Sequence, residues 1–150
     1  MHVFAVVNQK GGVGKTTTSV NLAASLAAMH RKVLLIDLDA QGNATMGVGI
    51  DKHTLERSIY DVFIDDLRAR DVITATSVAG LSLIGANSDL TGLELTLSEK
   101  PGREIRLRDS LAALQREFDV VLIDCPPALN LLTLNALVAA TGLLIPMQCE

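Results

Sequence analysis

The sequence predicts an α/β domain, a mostly parallel sheet with helices on both faces. Short apolar runs alternate with helical patterns along the 150 residues. The runs are solid rather than alternating, as strands covered on both faces require. Strand–helix–strand repetition then implies parallel neighbours joined by right-handed crossovers.

Residues 3–7 (VFAVV) read as the first strand. A helix follows over about 15–30, where Leu22, Leu26 and Met29 recur at helical spacing. Residues 33–36 form the second strand and 81–84 the third. Leu107, Leu111, Leu114 and Phe118 mark one face of a later helix, and 120–123 and 143–145 supply the fourth and fifth strands. Between 42 and 100, residues 58–64 and 90–97 read as short helices and 98–102 as a surface turn. No repeat, low-complexity tract or linker interrupts the chain, so 1–150 read as one domain. Residues 146–150 follow the last strand directly and nothing covers its far side, so the domain reads as an N-terminal portion, truncated at the C-terminal side.

Composition narrows the function. Hydrophobic residues make up 49% and charged residues 20%, which suits a buried core and excludes a disordered segment. Aromatics are 3% with no Trp, so a surface that stacks on bases is not expected. The net charge of −4 gives no global basic footprint for nucleic acid. Cys125 and Cys149 are too few for a disulfide scaffold and read as buried free thiols in a reducing compartment. The start, MHVFAVV, lacks a basic region and a cleavage site. Residues 125–149 carry no charge, long enough for the roughly 20 residues of a membrane span. Asn130, Thr133, Asn135, three prolines and the break at Thr141-Gly142 instead divide them into a buried helix and a buried strand.

The strongest motif is NQKGGVGKTT at 8–17, between the first strand and first helix. Gly11, Gly12 and Gly14 let the backbone approach a ligand closely. The helix N-terminus adds partial positive charge. Lys15 brings a full charge to where β- and γ-phosphates would lie, and the Thr16 hydroxyl can ligate Mg²⁺. The usual phosphate-loop pattern is not met, because Gln9 stands where its first glycine belongs. The dinucleotide fingerprint fails as well, because Thr17 stands where it needs glycine.

KGGVGKTT at 10–17 resembles the deviant phosphate loop of the ParA/MinD (Soj-like) ATPase superfamily, whose fold is that of the phosphate-loop NTPases. The resemblance implies that Lys10, Gly11, Gly12, Val13, Gly14, Lys15, Thr16 and Thr17 bind ATP. It also implies that Lys10 crosses a nucleotide-sandwich homodimer to the partner subunit's ATP. Positive charge supplied in trans would stabilise the phosphates as the bond breaks, as an arginine finger does.

Two carboxylates close the second strand in DLDAQGNAT at 37–45, and strand alternation puts Asp37 and Asp39 on one side if the strand reaches that far. By resemblance Asp39 positions or activates the attacking water, beside Lys10 and Lys15 as catalytic groups, while Asp37 organises the loop or pairs with a lysine. VVLIDCPP at 120–127 is an apolar strand ending in Asp124, the form of a Mg²⁺-holding aspartate. A carboxylate at a buried sheet edge is costly unless positive charge meets it, and Mg²⁺ beside Thr16 would do so. Residues 126–136 resemble the family's second switch and the helix after it.

The resemblance spans 1–150 and is closest to the chromosome- and plasmid-partitioning branch. It implies a Mg²⁺-dependent, weak, partner-stimulated ATPase, cytoplasmic and nucleoid-associated, that dimerises on ATP, binds DNA non-specifically and acts with a ParB-like centromere-binding protein. Arg103, Arg106 and Arg108 are interrupted by Glu104 and Asp109 and read as a solvated helix face, not a DNA site. The alternative is a MinD-like membrane-associated division-site ATPase, for which 1–150 hold no basic amphipathic helix. An iron–sulfur ATPase is disfavoured by the placement of Cys125 and Cys149, and an autophosphorylating tyrosine kinase by the single Tyr60. A small-molecule ligase of the superfamily is also conceivable.

Overall fold

The computed structural model describes residues 1–7 and 15–147, and at Lys15 the backbone alone. One six-stranded sheet organises the chain. Its strands are β1 (His2–Val6), β2 (Val33–Asp37), β3 (Thr74–Ala75), β4 (Leu81–Ile84), β5 (Val120–Asp124) and β6 (Gly142–Leu144), in the order β3-β4-β2-β5-β1-β6. All neighbours are parallel except β3, which runs antiparallel along β4. The helices are α1 (Lys15–Ala28), α2 (Asn43–Gly47), α3 (Ile59–Phe63), α4 (Leu93–Ser98), α5 (Arg106–Ala112) and α6 (Leu131–Ala139).

The solid apolar runs behave as two-sided strands. Every residue of β2 and β5 is buried. Val33, Leu35, Leu81, Leu83 and Leu122 face one way, against Ala23 and Ala27 of α1 and Ala44 of α2. Leu34, Ile36, Val121 and Ile123 face the other way, against Ile59 and Phe63 of α3, Leu93 and Leu97 of α4, Leu107 and Leu111 of α5 and Leu132 of α6. Helices on both faces are therefore observed.

Several boundaries differ from expectation, each for a physical reason. The buried face of α1 is Ser19, Ala23 and Ala27, while Met29 is exposed and Leu22 and Leu26 only half-buried. Small side chains at that face let the helix lie close on the sheet. The helix over 90–97 is two pieces, a 3-10 turn at Ser88–Leu90 and α4, separated where Gly92 adopts φ 77°. Beyond Ala112 the chain continues in i→i−3 turns (Leu114 N–H to the Leu111 carbonyl, Glu117 N–H to that of Leu114), so Phe118 is reached outside the helix. β3 and α2 are additions to the expected elements. Residues 125–147 divide into a helix and a strand as expected, α6 and β6, but β6 is not the buried strand expected. It stands last in the strand order, with Leu143 52% exposed, and Ile145 just beyond it is 61% exposed. Among the described residues no helix is long and apolar enough to cross a membrane.

Candidate functional site

Parallel pairing brings the carboxyl ends of β1, β5 and β2 to one edge of the sheet. Val6 is the register partner of Asp124, and Asp124 that of Asp37. The segment joining β1 to α1 leaves from this edge, where open parallel sheets place their ligands. The first turn of α1 starts beside the two carboxylates.

Asp124 is fully buried. Its Oδ2 accepts a hydrogen bond from Thr16 Oγ1 at 3.0 Å, and its Oδ1 accepts one from Ser19 Oγ at 2.9 Å. Thr16 and Ser19 lie three residues apart and therefore share one face of α1. Two hydroxyl donors thus meet a carboxylate whose burial would otherwise be costly.

Asp37 is also fully buried. Oδ1 accepts from the Asp39 N–H at 3.0 Å, and Oδ2 accepts from the Thr45 N–H at 2.9 Å and the Thr45 hydroxyl at 2.8 Å. Burial nevertheless pushes the Asp37 carboxyl up to about 6, against the lowering effect of these hydrogen bonds. The strand ends at Asp37, so alternation does not place Asp39 beside it. The Asp37 side chain instead draws in the Asp39 N–H and turns the chain. Half-buried Asp39 accepts the Gln41 N–H on Oδ1 at 3.0 Å, and its carbonyl accepts the Gly42 N–H at 2.9 Å. Gly42 sits at φ 66°, where a Cβ would lie 2.9 Å from the Ala86 carbonyl oxygen. Only glycine takes that corner without strain.

Of the expected site residues, Thr16 and Asp124 are in contact, Asp39 lies on the turn after β2, and Thr17 is exposed on α1. Lys10, Gly11, Gly12, Val13 and Gly14 lie outside the described residues, and so do the Lys15 side chain and Cys149. Cys125 is buried, with its thiol 3.7 Å from the Ile123 carbonyl, as packing requires. Ser19 escaped the sequence reading. Its signal was the three-residue spacing from Thr16, which puts a second hydroxyl on the same helix face.

The donor set is all oxygen, a carboxylate and a hydroxyl within hydrogen-bond reach of each other. That suits Mg²⁺, which takes one or two protein oxygens and fills its shell with water and phosphate. Among the described residues no group of three or more His, Cys, Asp or Glu could hold a metal by itself. Of the arginine trio, Arg103 and Arg108 are exposed as expected, but Arg106 is not solvated. Its side chain is 16% exposed and binds the carbonyls of Phe63 and Pro101 and the Asp66 carboxylate.

The AAA domain family model matches residues 1–150. The sporulation initiation inhibitor protein Soj of Bacillus subtilis is 51% identical over 148 residues, covering 99% of this chain and 58% of that protein. The chromosome partitioning protein ParA of Myxococcus xanthus is 49% identical over 148 residues, covering 99% of this chain and 52% of that one. Among solved structures, cobyrinic acid a,c-diamide synthase from Mycobacterium smegmatis with bound ATP analogue and magnesium superposes with a TM-score of 0.95 at 46% identity, covering 100% of this chain and 61% of that one. The chain thus spans little more than half the length of the relatives it matches. A match along its whole length places it plainly: the chain belongs to the AAA domain family, with proteins named Soj and ParA among its relatives.

Proposed function

We propose that this chain is the nucleotide-binding part of a ParA/Soj-type ATPase, which binds ATP with Mg²⁺ at the carboxyl edge of its sheet and hydrolyses it. The observation that carries the proposal is the pairing of Thr16 Oγ1 with Asp124 Oδ2 at the start of the helix that follows a glycine- and lysine-rich loop. Relatives named as partitioning proteins and a structural neighbour holding an ATP analogue and magnesium support it.

In this reading residues 10–17 bind the phosphates, through backbone N–H groups, the α1 N-terminus and Lys15. Thr16 and Asp124 hold Mg²⁺, and the ion supplies positive charge against the phosphate oxygens. Asp39 positions the attacking water, its carboxylate oriented by the Gln41 N–H. Lys10 reaches the ATP of a second subunit, so hydrolysis requires an ATP-dependent homodimer. That dimer binds DNA non-specifically in the cytoplasm, at the nucleoid, and a ParB-like protein stimulates turnover.

The test is ATP binding and phosphate release by the full chain. Lys15→Ala abolishes ATP binding or hydrolysis, and wild-type turnover in that variant contradicts the loop assignment. In a chain of the relatives' full length, Lys10→Ala spares ATP binding and removes stimulated hydrolysis, and surviving stimulation contradicts the trans-acting lysine.

A second reading, ATP-dependent amide synthesis, is favoured by the Mycobacterium smegmatis protein, which is named as a diamide synthase. Amide formation on cobyrinic acid at the expense of ATP would establish it, and ATP turnover stimulated by a ParB-like protein and DNA alone would exclude it.

A further inference from the structure

We propose that Thr45 and Asp37 are positioning residues for Asp39, joined in a buried hydrogen-bond relay that runs from the chain after β4 to the turn after β2. The inference rests on the ATPase reading for its catalytic consequence, and on geometry alone for the relay.

The relay has a fixed direction. The Ala86 N–H donates to Thr45 Oγ1 at 3.0 Å, and the Thr45 hydroxyl then donates to Asp37 Oδ2 at 2.8 Å. The other oxygen of Asp37 accepts the Asp39 N–H at 3.0 Å. Thr45, Asp37 and Ala86 are all fully buried, so water does not compete for the two bonds at Thr45 Oγ1, while the Asp39 N–H bond at the end of the relay is part-buried. Because the Ala86 N–H occupies a lone pair of Thr45 Oγ1, the hydroxyl proton is directed to the carboxylate. The Asp37 carboxylate is thereby held between two loops, and its second oxygen sets where the Asp39 backbone turns. Ser and Val divide the possibilities at position 45, because Ser keeps the hydroxyl and Val keeps the shape without it. The relay ends on the Asp39 backbone, so its loss should alter catalytic alignment more than nucleotide affinity.

The experiment compares wild type, Thr45→Val, Thr45→Ser and Asp37→Asn in the full chain, each shown to be folded by circular dichroism. Amide hydrogen exchange is the first readout and needs no nucleotide. In Thr45→Val the Ala86 and Asp39 amides should exchange about tenfold faster while those of β2 and β5 keep their protection, and Thr45→Ser should retain wild-type rates. Asp37→Asn should release the Asp39 amide in the same way, which keeps the proposal testable should Thr45→Val not fold. Unchanged Asp39 protection in the folded variants overturns the relay. ATP turnover is the second readout. Thr45→Val should lower kcat about tenfold with Mg-ATP affinity held within about threefold, and Thr45→Ser should restore kcat. Equal loss in Ser and Val, or a loss confined to affinity, overturns the positioning role. A wild-type chain that neither binds nor hydrolyses ATP refutes the ATPase reading instead, and the exchange result then judges the relay by itself.

Discussion

Ser19→Ala removes one of the two hydroxyl donors that meet the buried carboxylate of Asp124, at 2.9 Å on Oδ1. A hydrogen bond to a charged group contributes about 1.5–3 kcal/mol, and truncating a buried donor exposes most of that value. Alanine returns about 0.5 kcal/mol through its better helix propensity. The net expectation is a loss of about 1–2.5 kcal/mol, or a Tm lower by about 3–8 °C for a chain of this size. Thr16→Ala removes the donor on Oδ2, at 3.0 Å from a half-buried position, and should cost less. Urea unfolding followed by circular dichroism measures both. A Ser19→Ala variant within about 0.5 kcal/mol of wild type would refute the argument that α1 hydroxyls stabilise the Asp124 carboxylate in the ligand-free fold.

Three more predictions follow from the same edge of the sheet. The Asp37 carboxyl is raised to about 6 in the fold, from 3.8. The folded state therefore binds the proton more tightly than the unfolded chain, and the stability this contributes is present below about pH 4 and lost as pH rises through about 6. Measured without nucleotide, wild type should lose on the order of 3 kcal/mol relative to Asp37→Asn across that window, and parallel stability curves would contradict it. Gly42→Ala forces a Cβ to 2.9 Å from the Ala86 carbonyl oxygen at φ 66°. It should cost about 1–3 kcal/mol in the same unfolding assay, and a neutral result would contradict the tight corner. Asp124→Asn should weaken nucleotide affinity in the presence of Mg²⁺ more than in its absence; equal weakening in a fluorescent-nucleotide titration would remove Asp124 from the metal site.

The sheet was legible because β2 and β5 are buried on both faces, and continuous runs such as VLLID and VVLID record that directly. The packing of α1 was not. Its large residues suggested a face through Leu22, Leu26 and Met29, yet the sheet selects the small ones, Ser19, Ala23 and Ala27. β3 is only two residues, too short for any periodicity to mark it. Thr16 and Asp124 could be chosen from the sequence as partners because each closes a recognisable motif, although 108 residues separate them. Asp39 could be named but not placed, because the strand's end depends on where the Asp37 side chain finds its donors. Thr45 was visible within the DLDAQGNAT stretch, while its link to Ala86 is a contact across 41 residues that no local pattern carries.

The most direct test is a crystal structure of the chain with a non-hydrolysable ATP analogue and Mg²⁺. The triphosphate should lie over the first turn of α1, with the ion beside Thr16 Oγ1 and Asp124. Nucleotide bound elsewhere, or an ion remote from both side chains, would contradict the assignment of this edge of the sheet as the ATP site.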